Sequence, residues 1–290
     1  MDRATELAII RRAYAKQVLA EVQVDDPRVE TAFAAVPREN FLGPGPWIVG
    51  RWIGGFVPTP SADPVYVYID TVVRIVSDQR INNGQPSGHA KWIASAAIEE
   101  GDHVVHVGTG TGYYTAIMAH LAGSSGKVTG IEFDRNLAER ARANLTSLPH
   151  VRIVEGDGAV TPFDDADVIY VNAGVTRPAD AWLDRLAEGG RLILPLTTNT
   201  NFENDDTPDP VERRGAVFRI EYRAPDFTAT WVSPVAIIPC ESTRDRASEA
   251  ALIAAFKKGG WERVTRLHRS NDLPEDRCWL NAPGWSLTYS

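Results

Sequence analysis

Strands and helices alternate along residues 90–198 of this 290-residue chain. Five apolar runs have the length and composition of buried strands: residues 103–108, 127–133, 151–157, 167–174 and 191–196. Four helical segments precede or separate them: residues 91–100, 113–123, 136–148 and 179–190. Because such alternation produces a parallel sheet covered on both faces, the pattern predicts an α/β fold: a Rossmann-like, mostly parallel sheet with helices on both faces.

The regions on either side of this core have a different character. Residues 1–89 predict a helical and loop-rich N-terminal region, with helices over 3–22 and from Asp25 or Asp26 to Phe33. Residues 65–76 alternate apolar and polar side chains and predict a strand. We therefore expect three regions, 1–89, 90–198 and 199–290.

The last region predicts an acidic loop followed by a small α+β extension. Residues 199–214 are acidic, contain proline and have almost no apolar side chains, which predicts a loop. The expected elements after it are antiparallel strands over 215–223 and 227–239, a helix over 248–260, and strands within 263–269 and 285–290.

Composition limits the partners and the compartment. A formal net charge of −8 disfavours nucleic acid, and no run approaches the roughly 18 apolar residues of a membrane span. Cys240 and Cys278 are too few for a disulfide framework, and we expect a cytoplasmic protein. The histidines show no spacing typical of metal ligands, so no metal is expected.

A glycine-rich turn follows the first predicted core strand. Gly108, Gly110 and Gly112 lie where that strand ends and a helix begins, which lets the backbone approach a ligand closely. The fingerprint of dinucleotide enzymes requires a further glycine where Tyr113 stands. The spacing therefore disfavours a nicotinamide-dependent dehydrogenase.

Two acidic residues follow the next two strands in order. Glu132 ends the second strand, where a carboxylate accepts hydrogen bonds from ribose hydroxyls. Asp157 follows the third strand, where its side chain can meet the exocyclic amine of an adenine. Three such elements at successive strand ends predict a nucleoside-type ligand.

The whole pattern resembles class I S-adenosylmethionine (SAM) dependent methyltransferases, and among them it is similar to the protein-L-isoaspartate O-methyltransferase family. The similarity rests on residues 28–44, 84–93, 105–123, 156–158 and 187–196. The Val-Pro-Arg-Glu segment at 36–39 is its most family-specific part. The resemblance implies a SAM cofactor and transfer of a methyl group to a carboxylate acceptor, the L-isoaspartyl residues of proteins or peptides.

The resemblance also implies roles for individual residues. Those expected to bind SAM are Gly108, Thr109, Gly110 and Gly112 around the methionine moiety, with Tyr113 beside them, Glu132 at the ribose, Phe133 directly after it, Asp157 and Gly158 at the adenine, and Asn172 near the methyl donor. A carboxylate acceptor is ionised at neutral pH and needs no general base.

The segment before the core departs from the family pattern. The family carries Ile-Ser-Gln-Pro or Ile-Ser-Ala-Pro, whereas this chain has Gly84 at the serine position. The candidate active-site residues are Asn83, Gln85, Ser87 and His89, of which His89 is the candidate base for an amine or phenol acceptor. His106 stands where relatives often carry an acid, and its charge is expected to depend on pH.

These departures leave two alternatives open. One is a family relative that methylates a different acceptor, either a specialised peptide or a small molecule. The other is a non-catalytic module that binds SAM without turnover.

Overall fold

The computed structural model describes residues 2–51, 55–76, 81–198 and 215–289. The helices are α1 (Arg3–Glu21), α2 (Pro27–Ala35), α3 (Pro86–Ala96), α4 (Tyr113–Ala122), α5 (Arg135–Asn144), α6 (Asp180–Asp184) and α7 (Arg246–Lys258). The strands are β1 (Ile48–Arg51), β2 (Gly55–Pro58), β3 (His103–Val107), β4 (Lys127–Glu132), β5 (Val151–Glu155), β6 (Ala166–Val171), β7 (Leu186–Thr197), β8 (Gly215–Arg223), β9 (Asp226–Pro234), β10 (Arg266–His268), β11 (Cys278–Ala282) and β12 (Trp285–Thr288). The predicted acidic loop at 199–214 lies outside the described residues.

The chain forms two compact units. Unit 1 comprises Met1–Asp102 and Thr109–Gly156, and unit 2 comprises His103–Gly108 and Asp157–Ser290. The glycine-rich turn is therefore divided, because Gly108 belongs to unit 2 and the rest of the turn to unit 1.

Unit 1 is built around helices and a parallel strand pair. Asp2 caps α1 by accepting a hydrogen bond from the Thr5 N–H, and Asp26 caps α2 just before Pro27. Strands β4 and β5 pair in parallel, and α5 packs against both. The helices predicted for this unit are present, but the one predicted over 91–100 begins earlier, at Pro86, and already ends at Ala96.

The first region differs from the prediction between residues 48 and 76. Strands β1 and β2 pair antiparallel within the N-terminal region, which was predicted to be helical and loop-rich. The strand predicted over 65–76 is wrong, because Pro64–Val67 form a 3₁₀ turn capped by Asp63. Beyond that turn only Val73 and Arg74 make isolated bridges.

Unit 2 contains one sheet with parallel and antiparallel parts. Its strand order is β11-β12-β10-β9-β8-β7-β6-β3. Strand β6 pairs in parallel with β3 on one side and with β7 on the other. The remaining neighbours in this unit pair antiparallel. The predicted antiparallel strands and helix of the C-terminal region are confirmed, and β11 is an additional strand.

The helix predicted over 179–190 is wrong in its second half. Helix α6 ends at Asp184, and β7 begins only two residues later at Leu186. The α/β, Rossmann-like prediction for the fold as a whole is confirmed. Within the described parts of the chain, no helix has the length and apolar character needed to cross a membrane.

Candidate functional site

The carboxylate of Glu132 holds the glycine-rich turn within unit 1. It lies at the end of β4 and is 8% exposed. One oxygen accepts a hydrogen bond of 2.6 Å from the Gly110 N–H, and the other accepts one of 3.0 Å from the Asp134 N–H. A carboxylate offers about four lone-pair positions, so two remain for a ligand. Burial raises the pKa of Glu132 above its ordinary value, against the effect of these hydrogen bonds.

The residue after this carboxylate is unusually exposed. Phe133 is 78% exposed, the largest value among the exposed large apolar side chains in the described part of the chain. Burying a phenyl ring is favourable by about 1.5–3 kcal/mol, so a ring left in water beside a buried carboxylate is typical of a ligand site. Thr109 lies at the start of the same turn and is buried.

Tyr113 lies in the core of unit 1. It is 2% exposed, and its ring packs against Phe33, Phe41 and Tyr114. The ring therefore has little surface for a ligand, and only the backbone of Tyr113, at the first turn of α4, stays a candidate for cofactor contact.

Unit 2 carries the remaining predicted cofactor residues. Gly108 has a φ of +77°, and a Cβ there would lie 3.0 Å from the Asn172 carbonyl oxygen, so the position requires glycine. The Asn172 amide donates to the Gly108 carbonyl at 3.1 Å. Asp157 accepts from the Ala159 N–H, and the Gly158 carbonyl accepts from the Trp182 indole. Each residue thus has a fixed backbone environment.

The protonation state of His106 differs from the one expected from the sequence. It is fully buried, and burial lowers its pKa to about 3. The imidazole is therefore neutral throughout the physiological pH range, and the expected pH-dependent charge is wrong.

The Gln-Pro segment is fixed by a carboxylate that the sequence analysis missed. Asp70 accepts hydrogen bonds from the Ser87 N–H at 2.8 Å and from the Gln85 amide at 3.0 Å. The same Gln85 amide lies 3.3 Å from the Ser87 hydroxyl oxygen. Nothing in the sequence indicated this role, because Asp70 lies within residues 65–76, which were predicted to form a strand.

An open cleft in unit 1 adjoins this segment. Its volume is about 530 Å³, and its lining residues are Tyr14, Gln17, Val18, Ala20, Glu21 and Asp70. Asp70 therefore joins the cleft wall to the start of α3, where Gln85 and Ser87 lie. The cleft and the Gln-Pro segment form one continuous candidate acceptor side.

The guanidinium of Arg38, whose Cζ lies 5.9 Å from the ring centroid of the cleft residue Tyr14, organises the nearby backbone. Arg38 is fully buried and donates to the carbonyls of Val67, Ile69 and Thr71 at 2.6–2.9 Å. It also donates to the Asn83 side-chain oxygen at 3.1 Å, which accepts from the Val73 N–H as well. The Asn83 oxygen is thus used by the scaffold, and its amide nitrogen is buried with no acceptor among the residues that the structure describes.

His89 is the last of the predicted active-site residues. It is 2% exposed and lies on α3, where its ring stacks on the Tyr114 ring. Asn83, Gln85, Ser87 and His89 therefore all lie in unit 1, although they contact different partners. In the described residues, no group of three or more His, Cys, Asp or Glu side chains is arranged to hold a metal ion.

Comparisons with known proteins agree with this geometry. The profile of the family described as protein-L-isoaspartate(D-aspartate) O-methyltransferase matches residues 54–208. The protein-L-isoaspartate O-methyltransferase of Thermotoga maritima is 33% identical over 185 residues, which are 62% of this chain and 53% of that protein. The enzyme of the same name from Ignicoccus hospitalis is 32% identical over 197 residues, 67% of this chain and 84% of that protein.

Solved structures show the same fold. A protein-L-isoaspartate O-methyltransferase structure superposes with a TM-score of 0.63 at 28% identity, covering 79% of this chain and 65% of that one. A Plasmodium falciparum structure titled as a putative member of the family, in complex with S-adenosyl-L-homocysteine, superposes with a TM-score of 0.60 at 18% identity, covering 79% of this chain and 97% of that one.

The fold, with its glycine-rich turn and strand-end carboxylate, is that of a class I SAM-dependent methyltransferase. The match spans only about half the length of the Thermotoga maritima protein, but it includes more than half of this chain. The chain belongs to the protein-L-isoaspartate(D-aspartate) O-methyltransferase family.

Proposed function

We propose that this chain transfers the methyl group of SAM to the carboxylate of L-isoaspartyl residues in proteins or peptides. The observation that carries the proposal is the buried Glu132 carboxylate, which binds the Gly110 N–H and keeps two lone-pair positions. Two acceptor positions match the two hydroxyl donors of a ribose, so the residues present fit the nucleoside part of SAM. Family membership supports the carboxylate acceptor over the alternatives.

The roles of the other cofactor residues follow from their positions. Thr109, Gly110 and Gly112 lie in the turn that Glu132 holds, and Phe133 offers an exposed ring to the adenine. Gly108, Asn172, Asp157 and Gly158 belong to unit 2, and their contacts with SAM stay a prediction.

On the acceptor side, the residues of the chain position and desolvate the substrate. SAM supplies an activated methyl group, and a carboxylate is ionised at neutral pH without help from a general base. The cleft lined by Tyr14 and Asp70 gives the acceptor peptide an approach to the Gln-Pro segment. The chemistry then depends on orientation and exclusion of water, which the packed aromatic residues around α4 favour.

Truncation of the exposed ring tests the cofactor side. We expect Phe133→Ala to raise the Kd for SAM roughly tenfold, because the ring gains burial only when the adenine covers it. Isothermal titration calorimetry with SAM measures the change. Ile9→Ala, at a residue of α1 that is 43% exposed, is the control and should bind SAM like the wild type. Unchanged affinity in Phe133→Ala would remove the ring from the site.

A transfer assay tests the reaction itself. Purified protein, SAM with a tritiated methyl group and an isoaspartyl peptide should give a labelled product whose label is released as methanol in mild base. The same peptide with a normal aspartyl residue is the matched control and should remain unlabelled. Binding of SAM without transfer, or a base-stable product, would contradict the proposal.

The partner and compartment are part of the proposal. The acceptor is a protein or peptide, and neither a nucleic acid nor a membrane is required by this chemistry. Cys240 and Cys278 are both unpaired thiols, which supports the reducing cytoplasm as the compartment. Each thiol should therefore react with a maleimide after denaturation without prior reduction.

A further inference from the structure

Gly84 and His89 share one small volume in unit 1. Gly84 has a φ of +72°, and a Cβ built on it would lie 2.8 Å from the Cδ2 atom of His89 and closer still to Nε2. Real Cβ atoms essentially never approach another atom this closely, so no larger residue fits at 84 while the imidazole keeps its position.

Two aromatic rings hold that imidazole in position. Its ring lies 3.7 Å from the Tyr114 ring, centroid to centroid, with an interplanar angle of 16°. It also meets the Trp92 ring at 4.9 Å in an edge-on arrangement. His89 is 2% exposed, so moving the ring away from Gly84 would break a buried stack.

The residues around Gly84 connect this pair to the acceptor side. Asn83, one residue before, is bound by the buried Arg38, and Gln85, one residue after, is bound by Asp70 of the cleft wall. The backbone conformation at Gly84, which lies between these two residues, therefore determines the position of the Gln-Pro segment relative to the cleft.

We propose that His89 is a positioning residue that fixes the turn at Gly84. The imidazole fills the volume that a Cβ at position 84 would enter, and it fixes the turn at 83–86 against the acceptor cleft. While the imidazole keeps this position, only glycine fits at 84. The role on the acceptor side rests on the proposed function. The steric pairing of Gly84 with the His89 imidazole does not.

A double-mutant cycle in thermal unfolding tests the pairing. The four proteins are the wild type, Gly84→Ser, His89→Ala and the double variant. We expect Gly84→Ser to lower the Tm by at least about 3 °C more in the wild-type background than in the His89→Ala background, because the clash exists only with the imidazole. His89→Val, whose side chain is also too short to reach position 84, replaces His89→Ala if the latter does not fold.

Gly284→Ser is the matched control for backbone strain. Gly284 has a φ of +78°, and no atom lies within 4 Å of a Cβ built there. This variant therefore carries the cost of the left-handed backbone without a clash, and it should lower the Tm less than Gly84→Ser does. Equal losses from Gly84→Ser in both His89 backgrounds would overturn the pairing.

Steady-state kinetics test the positioning role. We expect His89→Ala to raise the KM for the isoaspartyl peptide about tenfold and to leave the Kd for SAM within about twofold. A merely structural role would reduce the active fraction, and hence kcat, without raising this KM. An unchanged peptide KM would overturn the positioning role. Failure of the wild type to transfer methyl groups would refute the proposed function and the acceptor-side role with it, while the unfolding cycle would still decide the pairing.

Discussion

Replacement of Glu132 by glutamine is expected to raise the Kd for SAM about 30- to 100-fold, which corresponds to about 2–3 kcal/mol. The carboxylate accepts from the Gly110 and Asp134 N–H groups and keeps two lone-pair positions for the ribose. Glutamine has only one oxygen, so its NH₂ group must face a donor on one side. The turn and the ribose contact are weakened together, and calorimetric titration with SAM measures the loss.

Glu155→Gln provides a close control for this prediction. Glu155 lies opposite Glu132 in the register of β5 against β4, at the same end of the strand pair, but its side chain is exposed. The control should bind SAM like the wild type. Equal affinity of Glu132→Gln and wild type would show that another group binds the ribose.

The pH dependence of SAM binding follows from the same residue. Burial raises the pKa of Glu132, and the protonated carboxyl has lost acceptor capacity for ribose hydroxyls. Affinity should therefore be full while Glu132 is ionised and fall as the pH drops through this raised pKa, at a pH above the usual range of a glutamate. In Glu132→Gln the acid-side fall should be absent.

The core of the fold could be predicted because its signals are local. The apolar runs that became β3 to β6 are long enough to specify buried strands, and Glu132 and Asp157 follow strands in a fixed order. The end of α6 was less predictable. Residues 186–188 have a helix-compatible composition, yet Leu186 pairs with Ala166 of β6. Pairing with a distant strand overrides local propensity there.

The strand predicted over 65–76 failed for a related reason that has consequences for the site. A strand satisfies its carbonyl groups through a neighbouring strand, but those of Val67, Ile69 and Thr71 are bound by the guanidinium of Arg38. Arg38 is 29 to 33 residues away in sequence, so no local pattern reveals the interaction. Asp70 was missed as a site residue because this irregular segment was assigned to a strand.

The Gly84–His89 relation was likewise beyond sequence reasoning. His89 could be named as a candidate because it follows the Gln-Pro segment, but the five-residue separation says nothing about a shared volume. Only the left-handed turn at Gly84 and the stack on Tyr114 bring the imidazole against Gly84.

Removal of the buried guanidinium should have the largest effect on stability. We expect Arg38→Met to lower the free energy of unfolding by about 3–5 kcal/mol, because three backbone carbonyls and the Asn83 oxygen lose a charged donor together. Arg38→Lys keeps the charge but not the planar fork, so its loss should be smaller yet still large. Denaturant unfolding monitored by circular dichroism and tryptophan fluorescence measures both.

Arg135→Met is the matched control for this prediction, because Arg135 is an exposed residue of α5 whose guanidinium makes a surface ion pair with Glu139. Surface pairs contribute little to stability, so this control should unfold like the wild type.

The acceptor side should respond as well, since Arg38 fixes both Asn83 and the segment that carries Asp70. Arg38→Lys protein that remains folded should therefore show a raised KM for the isoaspartyl peptide with an unchanged Kd for SAM. Wild-type stability in Arg38→Met would mean that the carbonyls of residues 67–71 find other donors and that Arg38 does not organise the acceptor side.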